Sequence, residues 1–142
     1  MQHPLIYKDI EKVVLARFPE LWGLVEKVFG SYYDLKTELP GAYPIFEDVL
    51  QKLLFDLLDA GKDDLRIRPI FSFLEEMAGS PDKDVVNLLW IAILESLVFN
   101  RERIRRSWKY LGEKTKQLIR ELARCRDWQD NLPPDEARTN GH

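Results

Sequence analysis

Residues 67–98 read IRPIFSFLEEMAGSPDKDVVNLLWIAILESLV, and this stretch decides the fold class. Before Gly79, the residues Ile67, Ile70, Phe71, Leu74, Met77 and Ala78 recur at three- and four-residue spacing, which predicts an amphipathic helix. Pro69 lies too deep for the first turn, so one lost backbone hydrogen bond and a kink are expected there. Gly79 ends the helix and Ser80 is positioned to cap the next one. Pro81 suits a first helical position and Asp82 complements the positive end of the helix dipole. So short a link predicts an antiparallel helical hairpin. Beyond it, Val85, Val86, Leu88, Leu89, Trp90, Ile91, Ile93, Leu94, Leu97 and Val98 make a helix apolar nearly all round, which marks it as the central element.

The same periodicity extends in both directions. Toward the N-terminus, Phe46, Val49, Leu50, Leu53, Leu54, Leu57 and Leu58 form a wide stripe closed by Gly61, and Asp63 and Asp64 are candidate caps for the helix that follows. Ile6, Ile10, Val13, Val14 and Phe18 predict a first helix ended at Pro19. Leu21, Trp22, Val25, Val28 and Phe29 predict a second that stops at Gly30. Between Ser31 and Pro44 the pattern lapses, and a long connection of this kind is a candidate contact surface. Toward the C-terminus, Ile104, Trp108 and Leu111 form a narrow stripe, followed by Leu118, Ile119, Leu122 and either Ala123 or Cys125 in a last helix reaching about Trp128.

No stretch alternates as a half-buried strand does, so the expected class is all-α, with six or seven helices in antiparallel pairs forming a helical bundle or a HEAT-like stack. Residues 1–128 are expected to form a single domain. The polar segment 129–142, with Pro133-Pro134 and almost no apolar residue, is expected to be a disordered tail.

The single cysteine, Cys125, permits no internal disulfide and fits a reducing compartment. No export signal is legible at the N-terminus, and the most apolar run, Val85–Phe99, is too short for a bilayer. A cytoplasmic protein without membrane contact is the expectation. Charge is uneven: residues 1–100 carry 10 Lys and Arg against 17 Asp and Glu, net −7, whereas residues 101–142 carry 11 against 7, net +4. Such polarity steers charged partners to one end.

Catalytic patterns are lacking. The two histidines, His3 and His142, stand at the termini, where neither general acid–base catalysis nor a zinc site is expected. Cys125, between Arg124 and Arg126, has no base to activate it and reads as a core residue. Asp63-Asp64 and Glu75-Glu76 are adjacent pairs whose side chains diverge by about 100° on a helix, so neither pair converges on one metal or proton; Glu75-Glu76 is expected on a solvated face. No glycine-rich phosphate loop is present. The reading is therefore a protein that is not an enzyme, holds no cofactor or metal, and acts by binding a protein partner.

Tyrosines in a loop supply contact area at low entropic cost and carboxylates supply steering, which nominates Tyr32, Tyr33, Asp34, Tyr43, Glu47, Asp48 and Phe55 as partner-binding residues. Phe55 stands out because it is expected on an outer face between Lys52 and Asp59. The alternative is a nucleic-acid-binding module on the basic helices 101–124, using Arg101, Arg105, Lys109, Lys116, Arg120 and Arg124, with Trp108 read as core and Tyr110 as the remaining platform for a base. A general helical scaffold or adaptor is a third reading.

The run Phe71-Ser72-Phe73-Leu74-Glu75-Glu76-Met77-Ala78-Gly79-Ser80-Pro81, continued through Asp82-Lys83-Asp84-Val85-Val86-Asn87-Leu88-Leu89 to Ile93-Leu94-Glu95-Ser96-Leu97, resembles small helical bacterial proteins that look like immunity proteins of polymorphic or contact-delivered toxins. Tyr43-Pro44-Ile45-Phe46-Glu47-Asp48-Val49-Leu50 and Trp108-Lys109-Tyr110-Leu111-Gly112 fit the same order, so the likeness spans most of residues 5–125. It implies a cognate toxin domain as partner, held by an inhibitory interface, and no chemistry of the protein's own.

Overall fold

A computed structural model describes residues 3–139. Eight helices are present among them: α1 (Tyr7–Arg17), α2 (Leu21–Phe29), α3 (42–60), α4 (Asp64–Ala78), α5 (83–99), α6 (Arg101–Ser107, extended by a 3-10 turn Trp108–Tyr110), α7 (Glu113–Arg126) and α8 (Pro134–Thr139). There is no strand among the described residues.

The centre is α5, as its composition predicts. Val85, Leu88, Leu89, Ala92, Ile93, Leu94, Leu97 and Val98 are all fully buried, and the helix touches α1, α3, α4, α6 and α7. Its polar exceptions find simple places. Asn87 is exposed, and Glu95 pairs with Arg126 at 3.0 Å. Both α3 and α5 contain one wide π turn, at Phe46–Leu50 and Trp90–Leu94, and these turns pack on each other. A π turn diverts a carbonyl from its usual partner. Here Gln51 Nε2 donates to the Ala92 carbonyl at 2.6 Å.

The hairpin between α4 and α5 forms, with different caps from those expected. Asp82, not Ser80, is the N-cap of α5: its carboxylate accepts from the Asp84 amide at 3.0 Å and from the Tyr7 amide at 2.8 Å, tying α1 to the hairpin. Ser80 Oγ instead donates to the Leu5 carbonyl and accepts from the Asp82 amide. Helix α4 runs through Pro69. Its start has no side-chain cap, because the Asp63 carboxylate turns to Arg66. In the long connection, helix α3 begins at Ala42, earlier than the apolar stripe suggests, because Pro44 occupies its first turn.

The Glu75-Glu76 pair is not on a solvated face. Glu75 accepts from the backbone amides of Lys114 and Thr115 and from Thr115 Oγ1, at 3.0, 2.9 and 2.7 Å, and so caps α7 from another helix. The negative group sits where the amides of a helix start lack partners. Gly112 is required there, since a Cβ would lie 2.3 Å from the Glu75 carboxyl carbon. Glu76 forms a two-bond pair with Arg17, at 2.6 and 2.8 Å.

The packed chain also extends past Trp128. Leu132 is fully buried, Gln129–Asn131 form a 3-10 turn and α8 follows, so the segment from 129 is not a free tail over its described part. One apolar side chain and several polar ties suffice to hold it, a signal too sparse for periodicity to register. Residues 140–142, including His142, lie outside the described residues.

Candidate functional site

Two clefts bear on the nominated residues, one lined by Asp48 and the other by Phe55. The first lies between α2 and α3. On α2 the i, i+4, i+8 set Leu21, Val25 and Phe29 faces the core, which leaves Leu24 and Val28 as a second row. On α3, Val49 and Leu53 form the facing row. Together they line a groove of about 300 Å³ whose rim carries Lys27, Asp48, Lys52 and Asp56. Lys52 and Asp56 pair loosely across one turn at 3.6 Å, both largely solvated. Val28 remains 37% exposed.

Of the residues nominated for a partner, Asp48 alone lines this groove. Glu47 is exposed on the next face of α3, beside Tyr43. The Tyr43 ring lies 6.4 Å from that of Tyr7, and burial together with Tyr7, Asp84 and Glu47 raises its hydroxyl above the ordinary tyrosine range. It is thus a neutral donor at an acidic spot. Tyr32 is 81% exposed, immediately after α2. Tyr33 is half-buried, edge-on to Phe29 at 6.1 Å. Asp34 is exposed and its carboxylate accepts from the Lys36 amide, closing a local turn.

Phe55 belongs elsewhere and is not the exposed aromatic its helix position suggests. It is buried, with the Arg103 guanidinium 4.2 Å from its ring centroid, and Arg103 also forms a two-bond pair with Asp59. That contact holds the Asp59 carboxyl below its ordinary range. Phe55 lines a second, open cleft of about 590 Å³ with Phe99, Trp128 and Gln51. Phe99, 69% exposed, rests edge-on against Trp128 at 5.4 Å.

The cations nominated for nucleic acid are mostly committed within the chain. Arg105 donates to the carbonyls of Asp130, Asn131 and Leu132. Arg120 pairs with Glu113 and Glu136, and the hydrogen bonds it donates to Glu136 raise its pKa further. Lys116 lies over the half-buried Trp108 ring at 5.2 Å, and Lys109 lies 5.1 Å from the Tyr110 ring. Tyr110 stacks on Phe71 at 5.6 Å with Arg68 against it, and its hydroxyl donates to Asp64, so the ring is no open platform. Arg101 and Arg124 remain exposed. Cys125 is exposed too, and Ala123 takes the inward place.

Among the described residues no group of three His, Cys, Asp or Glu side chains is arranged to hold a metal ion, and no helix is long and apolar enough to cross a membrane. Residues 11–127 match the family described as a domain of unknown function, DUF7674. The chain belongs to that family. No curated protein and no solved structure matches it. The match takes in both rows of the α2–α3 groove and stops before Trp128.

The groove residues Leu24, Lys27, Val28, Lys52, Leu53 and Asp56 escape sequence reasoning. Their stripes are visible as helical rows, but which row is left uncovered depends on how α2 crosses α3.

Proposed function

We propose that this protein is a non-catalytic binding module whose α2–α3 side seats another protein, and that the partner is a bacterial toxin domain which it neutralises in the cytoplasm. The observation that carries the binding reading is the α2–α3 groove, in which the exposed Val28 stands beside half-buried Leu24 and Leu53 over a buried Val49, within a charged rim. An apolar centre with a polar border is the usual anatomy of a protein interface. Tyr32, exposed just past α2, supplies further contact area. The toxin is suggested by the resemblance of most of residues 5–125 to immunity-type helical proteins. The architecture fits this task as a bundle around α5, a rigid carrier of a surface.

Co-expression tests the reading. A protein recovered from native cells in stoichiometric complex should arrest growth when produced alone, and this chain should relieve the arrest. Val28→Arg should abolish the relief while leaving the helical spectrum unchanged. A companion that is harmless alone, or relief that survives Val28→Arg, would sink the proposal.

A further inference from the structure

The segment Trp128–Glu136 lies against α6 and α7 and is outside the family match at residues 11–127. It is held as a peptide is held. The Arg105 fork reads three consecutive main-chain carbonyls, of Asp130, Asn131 and Leu132, at 3.0, 3.2 and 3.1 Å. Asn131 Nδ2 donates to the Val98 and Phe99 carbonyls at 2.9 and 3.3 Å, at the end of α5. Leu132 is the one fully buried anchor, and Glu136 makes a two-bond pair with Arg120 at 2.8 and 3.1 Å. Main-chain recognition of a 3-10 turn, one apolar pocket and one carboxylate clamp on the short helix that follows together specify an acidic turn-and-helix segment. The segment leaves α7 through Asp127, which holds a left-handed backbone at φ 59°.

We propose that residues 128–136 are a releasable strap over a peptide-binding groove on the α5–α6–α7 side, and that the groove's ligand in trans is an acidic segment of a partner protein that folds there as a turn and short helix around one leucine-type anchor. Release is local because the strap adds a single buried apolar side chain to the core, so it opens at lower cost than the helices it covers. Opening frees Arg105, leaves Arg120 paired with Glu113 alone, and uncovers the Leu132 pocket. The groove is separate from the α2–α3 surface, so either assignment stands without the other.

Hydrogen exchange and peptide capture on the full chain test this. Amides of residues 129–132, 135 and 136 should exchange at least tenfold faster than those of α5, and Asn131→Ala should speed them further without loss of helix. Leu132→Asp should stay folded and capture a labelled peptide of residues 128–139, which the wild-type chain, with its groove filled, binds at least tenfold more weakly. Adding Arg105→Gln should abolish capture. The proposal is overturned if the amides of residues 129–132, 135 and 136 exchange only with global unfolding in both wild type and Asn131→Ala. Failure of the folded, strap-opened variant to take the peptide also overturns it.

Discussion

The α2–α3 side and the α6–α7 side carry opposite lessons about what an exposed-looking residue is for. On the first, Val28 is left exposed at a groove whose other apolar lining residues, Leu24, Val49 and Leu53, also pack on the core. On the second, a run of cations that reads as a surface for a polyanion is spent on the fold: Arg103 on Asp59, Arg105 on three carbonyls, Arg120 on two carboxylates. A charged side chain is available to a partner only if the chain has no closer use for it. An exposed apolar side chain such as Val28 has no polar group to satisfy, and its cost in water favours a covering partner.

The largest expected effect comes from breaking the polar ties of the second side. Glu75→Ala would leave three donors at the start of α7 without their acceptor, and should cost about 2–3 kcal/mol in urea unfolding. Arg105→Ala should cost about 1–2 kcal/mol, since its bonds lie near the surface. On the first side, Asp48→Lys should change stability by less than about 0.5 kcal/mol, because Asp48 is exposed and has no internal partner. A similar loss at Asp48 and Glu75 would erase the contrast.

Acid sharpens the same comparison. Hydrogen bonds from Arg103 and Arg120 hold the Asp59 and Glu136 carboxyls below their ordinary values in the folded chain. A carboxyl with a lowered folded pKa contributes stability above its unfolded pKa, and that contribution disappears as pH falls through the folded value. Stability should therefore decline on acidification below the ordinary carboxylate range. Asp59→Asn should flatten part of that decline. The smallest effect is expected at Arg101 and Arg124, whose neutralisation should move the melting temperature by no more than a degree or so.

The helices are legible because their apolar rows are long: the apolar residues of α5 from Val85 to Val98 mark it as the central element, covered on several sides. Caps were less legible, because the signal for a cap is local and the caps used here are not. Glu75 serves α7 from almost forty positions away, and Asp82 receives an amide from α1. Phe55 and Cys125 were misplaced for one reason. Helical position gives a direction, and only tertiary packing decides whether that direction meets Arg103 or water. Among the partner-binding candidates, the tyrosines and carboxylates that stand out by type surround the groove incompletely. Its aliphatic lining resembles any core stripe until the crossing of α2 and α3 is known.

The most direct test of the central claim is the affinity of the co-purified partner for wild type and for Val28→Arg, measured by titration calorimetry alongside the thermal melt of each. The account predicts at least a tenfold weaker Kd with the melting temperature unchanged within a few degrees. An unaltered Kd for Val28→Arg, with binding lost instead on neutralising Arg101 and Arg124, would contradict it and move the interface to the basic side.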